Sequence, residues 1–237
     1  MMIKLMVLLK RKAGLTREEF SRRWLESGSR AGKVLRPWLR GYIQDHAVGL
    51  EGAGEPAVDG LSELYLDDWQ SLQAMSDYFL GDAARTLRDE EDQFLDTSAT
   101  AVIPVDQKFM VKPSGGIKVI ALLKRRRGTT HQQFSRHWED IHGPLCVRML
   151  PWFTGYVQDH CLAAPGAAAP YLDGLDEMWV ADLASWQALL DFYVSEAGRP
   201  MRDDEAKFVD TSSVRMFRVE QKHILGGPGL EAVATSA

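Results

Sequence analysis

The string GYVQDH at residues 155–160 nearly repeats GYIQDH at residues 41–46, and 160 − 46 = 114 residues separate the two copies. Sliding the chain against itself by that offset aligns most of it without a gap. IKLMVLLKRKAG (3–14) falls on IKVIALLKRRRG (117–128), and Phe20 and Trp24 fall on Phe134 and Trp138. Pro37-Trp38 falls on Pro151-Trp152, and DGLSE (59–63) on DGLDE (173–177). Arg88, Asp89, Glu91 and Phe94 fall on Arg202, Asp203, Glu205 and Phe208. Gln107-Lys108 falls on Gln221-Lys222. Self-similarity at a fixed period marks a duplicated structural unit. Two copies imply tandem domains at 1–112 and 117–225, a linker at 113–116 rich in Pro, Ser and Gly, and a disordered tail at 226–237.

Each copy has a readable element order. Residues 3–10 are apolar and unbroken, as in a buried strand. Thr16 with Glu19 three residues later forms a capping box, so a helix starts at Arg17, with Phe20 and Trp24 one turn apart on its core face. Residues 39–48 and 60–66 read as strands, 69–94 as helical, and 99–110 as a last strand. The order β-α-β-β-α-β is the ferredoxin-like pattern. The expected class is α+β, with two tandem ferredoxin-like domains whose sheets face each other as an intramolecular α/β barrel.

Composition sets the outer limits. The chain has 237 residues, 45% hydrophobic and 26% charged, as in a globular protein. A net charge of −5 gives no reason to expect nucleic acid. The one basic run, Lys124 to Arg127, reads as a solvated strand end. The apolar start is too short to span a bilayer and runs into charge, so no membrane partner and no signal peptide are expected. Cys146 and Cys161 read as buried free thiols of a cytoplasmic protein. Phosphate loops, CxxC and HExxH are missing, so no metal and no cofactor are expected.

The second copy resembles the EthD family of dimeric α/β-barrel proteins. The resemblance rests on IKVIALLKRRRG, WEDIHGPL (138–145), YVQDH (156–160), DGLDEMW (173–179) and FVD (208–210). The first copy carries most of these motifs. The resemblance implies the barrel fold. Relatives of that fold include lactone isomerases, polyketide decarboxylases and dehydratases, quinone-forming monooxygenases and some haem enzymes, so the chemistry must be argued from the site.

The most informative column is the broken one. His142-Gly143-Pro144 aligns with Gly28-Ser29-Arg30, so the second copy has the family-pattern histidines His142 and His160 while the first keeps His46 alone. The second copy is therefore the expected working site and the first a degenerate one. Tyr156, Gln158 and His160 alternate onto one strand face. The expected catalytic set is His142, His160, Tyr156 and Glu177, with Glu177 partnered by a histidine. Gln158, Trp138, Trp152, Trp179, Phe134, His46 and Tyr42 are the expected substrate contacts. His131, His137 and His223 read as surface residues. Imidazoles beside an apolar pocket suit proton transfer on a small hydrophobic aromatic, lactone or polyketide-like molecule, by a cofactor-independent lyase or isomerase. A cofactor-free monooxygenase and a non-catalytic ligand-binding accessory of a catabolic or biosynthetic cluster are the alternatives. The chain is expected to act as a monomeric pseudo-dimer or as a homodimer.

Overall fold

The computed structural model describes residues 2–50, 54–163 and 171–226. Its strands are β1 (Ile3–Leu9), β2 (Leu39–Val48), β3 (Gly60–Leu66), β4 (Ala101–Val111), β5 (Ile117–Leu123), β6 (Phe153–Cys161), β7 (Gly174–Val180) and β8 (Arg215–Leu225). They follow one another by hydrogen bonding in the closed order β1-β3-β2-β8-β5-β7-β6-β4, an antiparallel eight-stranded barrel within an α+β fold. The chain divides into two compact units. One takes Met1–Ala47, Val58–Pro104 and the chain from Glu220; the other takes Val48–Ala57 and Val105–Val219. The tail expected at 226–237 lies, from residue 227, outside the described residues.

In the first unit β3 lies between β1 and β2, with Glu63 opposite both Met6 and Ile43. Helix α1 (Arg17–Leu35) starts where Thr16 accepts from the Glu19 N–H at 3.1 Å and buries Phe20 and Trp24. The segment expected to be one helix over 69–94 is two, α2 (Trp69–Leu80) and α3 (Arg85–Glu91). Gly81 ends α2 in an extended conformation. Arg88 bridges the corner, donating to the carbonyls of Phe79 and Gly81. The second unit repeats this corner between α6 (Leu183–Val194) and α7 (Arg199–Phe208), where Arg202 donates to Tyr193 and Ser195. The arginine shared by the two copies is therefore a structural clamp.

The repeated Asp-Gly pair has a similar explanation. Asp59 accepts from the Arg11 backbone N–H at 3.0 Å and pairs with its guanidinium, and Asp173 does the same for Arg125 at 2.8 Å. The following glycine faces a tryptophan edge. A Cβ on Gly60 would lie 2.3 Å from Cζ3 of Trp24, and one on Gly174 2.3 Å from Cζ3 of Trp138. Both rings are buried and fixed by their neighbours, so neither can yield cheaply. Gly60→Ala and Gly174→Ala are each expected to cost about 1–3 kcal/mol by overpacking. Gly49→Ala, where an added methyl meets nothing within 4 Å, should stay within about 0.5 kcal/mol. Equal melting temperatures for all three variants would contradict this account.

Candidate active site

In the second unit the first helical stretch has three parts: α4 (His131–His137), a π-helical turn (Trp138–His142) and α5 (Gly143–Met149). Pro144 has no N–H to return to the carbonyl of Asp140, which disfavours a regular α-turn here. The turn widens, and the Gly143 N–H closes onto the Trp138 carbonyl. That carbonyl also accepts Gln158 Nε2 at 3.1 Å, and the same Nε2 donates to the Tyr156 hydroxyl at 3.1 Å. A Cβ on Gly143 would lie 2.8 Å from this amide.

The first unit makes the same bonds through a regular helix. Gln44 Nε2 donates to the Trp24 carbonyl at 3.0 Å and to the Tyr42 hydroxyl at 2.9 Å. There the residue crowding the amide is Gly28, whose Cβ would lie 2.0 Å away. The spatial counterpart of Gly28 is thus Gly143, at 143 − 28 = 115 rather than 114. The widened turn has advanced the helix by one residue, and the extra residue is His142, released from the glutamine to face a cavity.

His142 is buried, and its Nδ1 lies 3.0 Å from Asp204 Oδ2. Asp204, on α7, also meets Nε2 of His137 at 3.1 Å and Nζ of Lys207 at 3.1 Å. Burial pushes the Asp204 carboxyl up, but bonds from Lys207, His142 and His137 outweigh it and hold the group below the usual carboxylate range. An ionised carboxylate only accepts, so His142 carries its proton on Nδ1 and its Nε2 is left with a lone pair. Burial holds the His142 pKa below the ordinary value, against the opposing pull of Asp204. The imidazole is therefore a neutral, oriented base.

The cavity measures about 300 Å³. Its wall is mainly apolar and aromatic, and it includes Trp138, Tyr156, Trp186 and Phe208 along with His142. Asp176 enters it from β7, opposite Gln158 on β6 and hence on the same sheet face. Burial raises the Asp176 pKa to about 8, with the Tyr156 and Trp138 side chains opposing the rise. Its Oδ1 and the indole nitrogens of Trp138 and Trp186 are buried without a hydrogen-bond partner. Glu205 also lines the cavity and accepts the Tyr193 hydroxyl at 2.5 Å.

The structure thus brings His142, Tyr156 and Trp138 together around one cavity and places the other expected residues elsewhere. His160 stacks on Trp138 with ring centroids 4.5 Å apart, and its Nε2 lies 3.4 Å from Gln158 Oε1. His46 repeats this with Trp24 at 4.3 Å and Gln44 Oε1 at 3.1 Å. Burial lowers the pKa of each to about 4, so both are neutral scaffold imidazoles. Tyr42 belongs to the first unit's glutamine bonds. Glu177 points away from Asp176 and from the cavity. Its ion-pair partner is the buried Lys118 and not a histidine. Trp179 lies under the same ammonium at 4.8 Å. Trp152 packs on Phe192, and Phe134 on Phe208. His137, expected at the surface, is half-buried and holds Asp204.

Asp176 and Asp204 stand at positions where the copies differ and belong to no shared motif, whereas Glu205 repeats Glu91 of the first copy. Asp176 stands where the first copy has Ser62, and that difference inside DGLSE/DGLDE is the available signal.

Residues 126–212 match the family model described as EthD domain. No relative was found among curated proteins. Among solved structures, an anthrone oxidase-like protein matches with a TM-score of 0.60 at 13% identity, over 94% of this chain and 93% of that one. A candidate monooxygenase from Fusobacterium nucleatum subsp. nucleatum matches with a TM-score of 0.58 at 9% identity, over 95% of both chains. One from Lactobacillus acidophilus matches with a TM-score of 0.56 at 10% identity, over 95% of this chain and 97% of that one. These likenesses bear on the fold.

The raised pKa of Asp176 has a thermodynamic consequence. Between the unfolded value near 3.8 and the folded value of about 8, the native state holds a proton that the unfolded state has lost. Stability contributed by this group therefore falls as pH rises through that window, by up to roughly 1.4 kcal/mol per pH unit, and levels off above it. Asp176→Asn removes this dependence. Its stability relative to wild type should climb from pH 4 to pH 8 in urea titrations. A constant difference across that range would show that Asp176 is an ordinary ionised carboxylate.

Proposed function

We propose that this chain, whose residues 126–212 form an EthD domain, is a lyase or isomerase that moves a proton on a small hydrophobic aromatic, lactone or polyketide-like molecule. The observation that carries the reading is the opposition of two titratable groups in one apolar cavity. His142 is neutral and oriented by an ionised Asp204, and Asp176 is protonated. Two groups pushed to complementary protonation states are what acid–base catalysis near neutral pH requires.

His142 Nε2 takes a proton from a carbon next to a carbonyl, and the imidazolium that forms is stabilised by Asp204. Asp176 donates to the carbonyl oxygen as charge develops there. As the carbonyl re-forms, the enol hydroxyl returns its proton to Asp176, while the His142 imidazolium gives its proton either to the far carbon of a conjugated enol, which isomerises the double bond, or to a β-hydroxyl, which leaves as water. Tyr156 accepts from Gln158, which leaves its own proton for Asp176 or for the substrate oxygen. The two indole N–H groups offer further donors to a bound oxygen. We read the duplicated element order as two ferredoxin-like halves. The first carries Gly28, Ser62 and Gly32 at the aligned positions of His142, Asp176 and Cys146, and it serves as scaffold.

The test is hydrogen exchange at carbon. Activated cyclic ketones, lactones and hydroxylated aromatics are incubated with the protein in D2O, and deuterium uptake is followed by NMR. Wild type should catalyse uptake by at least one of these classes. His142→Gln and Asp176→Asn should each lower the rate by about 10²-fold or more, while His46→Gln leaves it unchanged. Uptake that is indifferent to His142→Gln would sink the assignment. Conversion that requires dioxygen would move the chain to cofactor-free monooxygenation, with the same base forming the substrate anion.

A further inference from the structure

The cavity has a recognisable mouth. Of the described residues around it, Thr211 alone is exposed. Thr211 and Val209 also line a second, more open depression of about 310 Å³, whose other walls include Arg126, Arg127, Asp210 and Ser212. A molecule entering the cavity past Thr211 therefore passes two guanidinium groups.

Arg126 is fixed in place. Its backbone N–H donates to the Phe208 carbonyl at 2.6 Å, and its Nη1 donates to the Ala206 carbonyl at 3.0 Å. Arg127, exposed, makes no hydrogen bond or ion pair among the described residues. Asp210, the acidic residue of the depression, is held locally, accepting from Ser212 Oγ at 2.6 Å. The first copy lacks this arrangement. Arg126, Arg127, Ala206 and Asp210 align there with Lys12, Ala13, Asp92 and Asp96. Two arginines against one aspartate in the second copy thus become one lysine against two aspartates in the first. Lys12 keeps the anchoring role, donating to the Asp92 carbonyl. What the second copy adds is a second cation and the loss of an anion, beside the lobe that has the cavity.

We infer that the substrate carries an anionic group, a carboxylate or a phosphate, which Arg127 and Arg126 hold at the cavity mouth while the apolar body sits inside. The planar fork of a guanidinium matches the oxygens of either group. The run Lys124 to Arg127, which in the sequence reads as a solvated strand end, thereby acquires a ligand. The inference rests on the reading of the cavity as the substrate site.

Calorimetric titration with three probes tests it: 2-naphthalenemethanol, 2-naphthylacetate and 2-naphthylmethyl phosphate. At low ionic strength one or both anions should bind about tenfold more tightly than the alcohol, as one charge-assisted contact at an exposed site allows. Added salt should erode the preference. Arg127→Gln should reduce it and the double variant Arg126→Gln, Arg127→Gln should abolish it, neither changing the affinity of the alcohol. Preference for one anion over the other identifies the tail. If the alcohol binds and the anions bind no better, or if their full advantage survives the double variant, the anionic-tail inference is overturned while the cavity reading stands. If no probe binds, the cavity reading falls and the inference falls with it.

Discussion

The bond from a strand glutamine to a helix carbonyl organises both units. An amide that donates to the backbone of a tryptophan must be dry and close-packed to be worth making, since a buried polar group without a partner costs more than the bond gains. Gln44 and Gln158 meet that condition because a glycine lets them approach, a tyrosine hydroxyl takes the second amide proton, and a histidine faces the amide oxygen. Once the amide is committed, the tryptophan ring is positioned over the histidine and against the glycine of the Asp-Gly pair. The fixed items of each copy, Tyr-x-Gln-x-His and Asp-Gly, are parts of one packing unit.

Much of the fold is legible in the sequence because that unit is written twice. Strand limits at 39–48 and 60–66 and the helix start at Arg17 follow from alternation and capping, which are local signals. The break at Gly81 is less visible, because the clamp that sets it comes from Arg88, seven residues on. The site is less legible still, for a physical reason. Repetition reports what both units need, and both need packing. His160 and Glu177 stand out by being repeated, yet one buttresses Trp138 and the other pairs with Lys118. The two titratable groups proposed to carry the chemistry stand where the copies differ: His142 against Gly28 and Asp176 against Ser62. Asp204 could not be tied to His142 from sequence, because 62 residues separate them and the contact depends on how α7 packs.

Three carboxyl groups in the second unit show how placement sets charge. Asp204 gathers three cationic or N–H partners and stays ionised. Glu177 is buried against an ammonium. Asp176 is held in its neutral form because burial, with the nearby Glu205 carboxylate, outweighs the Tyr156 and Trp138 side chains that favour its charge. The same side-chain type is thus a structural anion, an orienting anion and a stored proton within a single unit. The last of these is unfavourable for folding at neutral pH.

The one-residue advance of the helix at Trp138–His142 links the scaffold to the site. Gln158 demands a small residue at the crowding position whatever the helix does, and a regular helix would put the residue aligned with Gly28 there. A histidine at that position would collide with the amide. Widening the turn lets the chain keep the glutamine bond through Gly143 and still carry an imidazole one residue earlier. Pro144, which cannot supply the competing α-helical hydrogen bond, biases the backbone toward that wider turn. The motif His-Gly-Pro therefore has a division of labour: the proline favours the turn, the glycine satisfies the fold, and the histidine is released to the cavity.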